Sequence, residues 1–304
     1  MLTAQQQEMR IRGLGGTDMA AICGMHPYRT ALDVYLDKRG LAEPVAENEA
    51  MKWGTTLEPI IAAEYAERED VVLEECGTLI HPDRDWHVGT PDRLVVGQPV
   101  GLEIKTAGVR SAHRWGEQDT DEVPDEYLIQ SAWYLALTNR ERWDLAALIG
   151  GQEYRVYRIE RSAGLEAALL EQGEAFWRDN VLAGEPPAPG PRDVASLALL
   201  YRQQTHDIIE PEPEHLGMAA EYACTLKHIA ELKARRDAIR ARLCADIGER
   251  KGLRGIATWS GTKGRATFDH KAALAAGALD AETIARFTKQ SNPIRRFLFT
   301  YRGD

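Results

Sequence analysis

Hydrophobic and polar positions follow two rhythms over the first 183 residues. Apolar residues recurring every three or four positions predict helices over 17–23, 30–39, 54–69, 124–138 and 162–183. Between them, short runs rich in β-branched and aromatic residues predict strands over 71–80, 86–96, 100–106, 143–150 and 153–160. Gly97-Gln98-Pro99 is the natural turn between two of these strands, which makes a hairpin of them. Strands bracketed by helices on both sides of the series argue for an α/β or α+β fold built on one sheet layer.

The rhythm changes after residue 183. Gly184-Glu185-Pro186-Pro187-Ala188-Pro189-Gly190-Pro191 is a stiff break, and Glu210-Pro211-Glu212-Pro213-Glu214 is a second, with a short helix expected at 193–203. From His215 to Arg250 the chain has no proline and is rich in Ala, Leu, Lys and Arg, which predicts a long amphipathic helix of coiled-coil character. Strand-like pieces follow at 256–259 and 265–268, then a helix at 271–287 and a final strand at 297–301. This organisation divides the chain into a core at 1–190, a Pro-rich linker at 191–214 and a C-terminal extension at 215–304 carrying the long helix and a small β element.

Composition narrows the class. A chain of 304 residues that is 44% hydrophobic and 28% charged is ordinary for a globular protein. No apolar run approaches the roughly 18 residues that a bilayer span needs, and the N-terminus lacks a signal-peptide core, so a cytoplasmic location without membrane contact is expected, in a bacterium or a phage-infected host. Cys23, Cys76, Cys224 and Cys244 lie far apart, which argues against zinc fingers and disulfide frameworks and gives no support to an iron–sulfur cluster.

The net charge of −10 is unevenly spread. Residues 1–220 hold 20 basic and 38 acidic side chains, whereas residues 221–304 hold 17 and 9. Two solvated surfaces of opposite sign are one explanation. The other is a tail that supplies non-specific attraction for phosphate.

The candidate chemistry sits in the predicted hairpin. Gly89-Thr90-Pro91-Asp92 leads into the first strand, and Glu103-Ile104-Lys105 lies in the second. Two neighbouring carboxylates repel unless a cation lies between them, and an all-oxygen site suits Mg²⁺ or Mn²⁺. A lysine beside such an ion can orient water or hold a phosphate oxygen. Glu-x-Lys also occurs at Glu231 and Glu249, and Pro-Asp at Pro82 and Pro124, so neither motif is specific alone. Only Asp92, Glu103 and Lys105 combine them on apolar strands. Glu58, expected in the first turn of a helix, is either a carboxylate favoured by the helix dipole or a third acid at the site. Gly15-Gly16-Thr17-Asp18 makes a good helix start, and with Arg10 and Arg12 nearby it could also face a phosphate. Gln130 and Tyr134 are four apart on one helix face, whereas Trp133 and Leu135 are core candidates. No Gly-x-x-x-x-Gly-Lys-Ser/Thr occurs, which argues against an ATP-driven motor.

In this order the motifs resemble those of the YqaJ-like phage recombination exonucleases, which belong with lambda exonuclease in the PD-(D/E)xK nuclease superfamily. The resemblance covers about residues 8–183. It implies a nuclease core with a central mixed β-sheet flanked by helices, and Mg²⁺-dependent (or Mn²⁺-dependent) 5′→3′ digestion of one strand from a linear duplex end during phage-type recombination. It implies that Asp92, Glu103 and the Ile104 carbonyl bind metal, that Lys105 positions the attacking water, and that Glu58 and Gln130 assist. Arg10, Arg12, Thr17 and Tyr134 would contact DNA or its end phosphate. Thr17 stands where many members have Ser, and the acidic front half is a larger departure. A homo-oligomer, such as a ring trimer, and a single-strand annealing or single-strand-binding partner are implied in the same way. Two other readings stay open: an endonuclease of the superfamily, or a non-catalytic DNA-end-binding accessory protein.

Overall fold

The computed structural model describes residues 11–43, 46–203, 205–261, 270–277 and 280–287. The chain separates into two compact units, Met1–Gln203 and Gln204–Asp304.

Three helices open the first unit: α1 (Gly16–Ile22), α2 (Ala31–Lys38) and α3 (Glu49–Glu69). Their starts are written in side chains. Thr30 and Asp33 cap α2 reciprocally, and the Asn48 side chain accepts the Met51 amide at the start of α3. That cap places the start of α3 five residues ahead of the expected one at 54. Glu58 therefore lies in mid-helix, where the end of the helix dipole does not explain it.

Five strands follow: β1 (Leu73–Glu74), β2 (Leu79–His81), β3 (Arg84–Gly89), β4 (Arg93–Val95) and β5 (Val100–Ala107). A 3₁₀ turn (Val109–Arg114) then leads to α4 (Asp125–Thr138), β6 (Arg142–Ile149), β7 (Glu153–Glu160) and α5 (Ala163–Phe176), which runs into a π-helical turn (Trp177–Leu182). The short helix α6 (Val194–Leu200) lies in the stretch expected to link the two parts of the chain.

The main sheet has the order β1-β4-β5-β6-β7, with β5 and β6 parallel and the other neighbours antiparallel. The sheet is therefore mixed, as expected. Each of the strands expected at 71–80 and 86–96 is broken in two, and β2 pairs with β3 outside the main sheet. Gly77, at φ +63°, breaks the first. Pro91, which has no N–H to offer a ladder, stands at the second break.

The pleat of the sheet sorts side chains onto two cores. Trp143, Leu145, Ala147 and Ile149 of β6 pack in one cluster with residues of α1, α2, α4 and α5. Val100, Leu102, Ile104 and Ala146 pack in the other with Ile61, Ala62 and Tyr65 of α3. With helices on both faces, β5 and β6 are buried along most of their length. Gly101 is required here, because a Cβ would come within 2.2 Å of the Trp143 ring.

The second unit holds α7 (Pro213–Ile247), a two-stranded pair of β8 (Gly252–Leu253) with β9 (Ala257–Thr258), and helices α8 (His270–Ala275) and α9 (Ala281–Phe287). The helix expected over 271–287 is thus in two pieces, with Gly277 at φ +69° after the first. The strands expected at 265–268 and 297–301 lie outside the described residues.

Candidate active site

The hairpin register sets Arg93 opposite Leu102 and Leu94 opposite Gly101. Beyond Arg93 the chain leaves the ladder at Pro91-Asp92, so the edge of β5 from Glu103 onward opens on that side. The Asp92 carboxylate fills the gap by accepting the Ile104 amide at 2.7 Å. In a strand, the N–H and C=O of one residue point to the same edge, so the Ile104 carbonyl faces the Asp92 side as well.

Residues 101, 103 and 105 alternate with the α3-facing residues of β5, which puts Glu103 and Lys105 on one face of the sheet, toward α4. This is the physical content of the Glu-x-Lys spacing. The Lys105 ammonium lies 2.5 Å from Glu103 Oε1 and 4.9 Å from the centre of the Tyr127 ring. Gln130 Nε2 donates to the same Glu103 Oε1 at 2.8 Å and to the Tyr134 hydroxyl at 3.1 Å. Tyr134 in turn donates to the Thr90 carbonyl at 3.3 Å. Tyr134 is buried, so its hydroxyl braces Gln130 rather than facing solvent.

Glu58 reaches the edge of this group from α3. Arg93 holds it, with Nη1 at 3.0 Å from Glu58 Oε1, and also donates to the Asp92 carbonyl. Arg93 and Tyr127 are functional neighbours that motif reading did not supply. The available signals were adjacency of Arg93 to Asp92, and the i, i+3 spacing of Tyr127 to Gln130.

The start of α1 is built against the same residues. Leu14 bridges to β3 at His87, its amide donating to the Trp86 carbonyl at 2.6 Å. A Cβ on Gly16 would lie 2.8 Å from Gln130 Cγ and 3.0 Å from Gln130 Cα. Gly16 is thus the point where α1 and α4 touch. Asp18 turns inward, accepting Lys38 Nζ at 2.7 Å, Arg29 Nη1 at 3.0 Å and the Gly15 amide at 3.0 Å. Burial opposes its ionisation, but Lys38 and Arg29 outweigh burial and hold its carboxyl below the ordinary range. Thr17 is half-buried on α1 and Arg12 is exposed just before it. Arg10 lies outside the described residues.

The electrostatics bear on whether this group suits a cation. Burial and the Glu103 charge push Asp92 up to about 8, and burial also raises Glu103, with Lys105 opposing it. Burial pulls Lys105 down, but Glu103 and Asp92 outweigh that and keep it above its usual value. Glu103 Oε2 is buried and, among the described residues, accepts no hydrogen bond. An orphaned carboxylate oxygen beside a second strained carboxylate is what a divalent ion would relieve. Among the described residues, no three His, Cys, Asp or Glu side chains converge on one such point. The residues that fit an ion are therefore Asp92, Glu103 and the Ile104 carbonyl, with Glu58 farther out on Arg93.

Residues 6–141 match the model of the YqaJ-like viral recombinase domain. The YqaJ protein of Bacillus subtilis (strain 168) is 34% identical over 184 residues, covering 59% of this chain and 56% of that protein. A protein of Acanthamoeba polyphaga mimivirus is 27% identical over 147 residues, covering 45% of this chain and 27% of that protein. The chain thus spans about half the length of the first of these relatives and about a quarter of the second. Among solved structures, an alkaline exonuclease from Laribacter hongkongensis superposes with a TM-score of 0.49 at 21% identity, over 60% of this chain and 94% of that one. A phage related exonuclease from Haemophilus somnus 129PT gives 0.46 at 13%, over 57% and 96%. Likenesses of that size say nothing of chemistry at the site. The stretch 6–141 that is similar to the YqaJ-like viral recombinase domain contains Asp92, Glu103, Lys105, Gln130 and Tyr134.

Proposed function

We propose that this chain is a metal-dependent deoxyribonuclease that digests linear duplex DNA from its ends, 5′→3′, in phage-type recombination. The observation that carries this reading is the buried Glu103 beside the half-buried Asp92, with Glu103 Oε2 unsatisfied and Lys105 closing the group. Mg²⁺ or Mn²⁺ held by Asp92, Glu103 and the Ile104 carbonyl would supply positive charge for the scissile phosphate and a more acidic water.

The chain's own residues divide the remaining work. In the site without metal, Glu103 and Asp92 outweigh burial and hold Lys105 above its usual range. It acts as a donor that orients the attacking water and offsets charge gathering on the phosphate oxygens. Gln130 fixes Glu103 Oε1, and Tyr134 fixes Gln130, so the carboxylate cannot rotate as substrate enters. Glu58, restrained by Arg93, adds negative charge at the rim and can hold a water of the metal. Arg12 and Thr17 stand on either side of Gly16, the residue packed on Gln130, and together with Arg10 are proposed as contacts to the DNA end and its phosphate.

Linear duplexes carrying either a 5′-phosphate or a 5′-hydroxyl test the reading, incubated with Mg²⁺ and followed for release of nucleotides. Faster digestion from the phosphorylated end is expected. Equal rates from both ends would remove the end-phosphate contact, and no digestion with any divalent ion would remove the nuclease.

A further inference from the structure

The candidate site contains a second cation besides Lys105. Arg93 stands opposite Leu102 in the ladder, so it projects on the α3 face of the sheet, away from Glu103 and Lys105. Its Nη1 lies 3.0 Å from Glu58 Oε1 and also donates to the Asp92 carbonyl, while Nη2 lies 3.4 Å from Glu75 Oε1. The Arg93 side chain is 14% exposed and that of Glu58 32%, so this is not the freely solvated kind of surface pair that contributes little.

The guanidinium decides where Glu58 points. Glu58 is close enough for its charge to oppose ionisation of both Asp92 and Glu103. Yet among the described residues these three carboxylates do not converge on one point. Glu58 turns to Arg93 instead. An ion bridging Asp92 to Glu58 would have to displace a guanidinium held at three places, or meet its charge at short range. Charge balance points the same way. Asp92, Glu103, Glu58 and Glu75 bring four carboxylates to this group, against the two cations Lys105 and Arg93. One divalent ion meets the difference and two would exceed it.

We propose that Arg93 is a positioning residue that keeps Glu58 from direct contact with metal, so that the site takes one divalent ion, on Asp92, Glu103 and the Ile104 carbonyl. The inference rests on the metal-dependent reading of this site. Arginine holds its charge throughout the working pH range, so the positive charge beside Glu58 is built into the chain and does not vary with ion concentration.

Calorimetric titration of the full chain with Mn²⁺, without DNA, counts the ions. The wild type is expected to bind one. Arg93→Gln frees Glu58 and should bind two, and Arg93→Gln combined with Glu58→Gln should return to one. Arg93→Lys restores the charge and should also bind one. Glu58→Gln alone, at a half-buried helix position, should keep one ion with an affinity changed less than about tenfold. Circular dichroism and urea midpoints check the fold of each variant, and the wild-type and Glu58→Gln counts decide the matter even if Arg93→Gln does not fold. Two ions in the wild type, one ion in a folded Arg93→Gln protein, or loss of binding in Glu58→Gln would overturn the proposal and leave the nuclease reading in place. No ion in the wild type would remove the metal-dependent reading and this inference with it.

Discussion

Gly16→Ala isolates the contact between α1 and α4 from every other use of the Gly15-Gly16 pair. The added methyl would sit 2.8 Å from Gln130 Cγ, 3.0 Å from its Cα and 3.1 Å from its carbonyl oxygen, so most of the obstruction is backbone. Carbon atoms pack at about 3.5–4.0 Å, so one helix must move by roughly 0.7–1 Å. Overpacking of that size costs about 1–3 kcal/mol. Replacing glycine in a helix gains about 1 kcal/mol, which leaves a net loss of up to about 2 kcal/mol. The shift falls on Gln130, whose amide holds Glu103 Oε1, and a misplacement near 1 Å can lower turnover on the order of 100-fold. Gly15→Ala is the control, because its Cβ would meet nothing nearer than Asp18 Oδ2 at 3.7 Å. Urea denaturation and digestion of a linear duplex read the two effects. Wild-type stability and turnover in Gly16→Ala would contradict this contact. So would equal loss of activity in both variants, since that would mean the glycines serve approach to a ligand rather than helix packing.

Other consequences can be checked separately. Calorimetric titration with Mn²⁺ at pH 7 should release close to one proton per ion, and almost none at pH 9, because the free Asp92 carboxyl is pushed up to about 8; heats independent of buffer at pH 7 would contradict this. Burial lowers His87 from 6.5 to about 4, so the native state binds fewer protons than the unfolded chain between those values. Stability should therefore fall by about 3 kcal/mol as pH drops through that window, and urea midpoints of His87→Phe should lose this part of the acid dependence. Tyr127→Phe keeps the ring beneath Lys105 and should retain turnover, whereas Tyr127→Leu should lower it at unchanged DNA affinity; equal turnover in both would remove the ring from the account.

Much of this site can be read in the sequence because its parts lie on regular elements. Alternation along β5 puts Glu103 and Lys105 on one face, and the four-residue spacing on α4 puts Gln130 beside Tyr134. What sequence reading misplaced depended on single residues. Asn48 starts α3 early and moves Glu58 to mid-helix, while Gly77 and Pro91 cut two expected strands. Arg93 escaped notice because its role is to bridge Glu58 on α3 and the Asp92 backbone, elements far apart in the chain. Tyr127 did so because a ring beneath an ammonium leaves no motif. The structural role of Asp18 also depends on tertiary contact, since Lys38 and Arg29 meet it only in the fold.

Asp92, Glu103 and Lys105 are proposed to cut DNA from an end. The most direct test sets the wild type and Lys105→Ala on equal amounts of linear and closed circular duplex, with Mg²⁺ or with EDTA. Degradation of the linear duplex alone, only by the wild type and only with Mg²⁺, is the expected result, with Lys105→Ala still binding ends. Cleavage of the circle, turnover in EDTA or undiminished turnover by Lys105→Ala would contradict it.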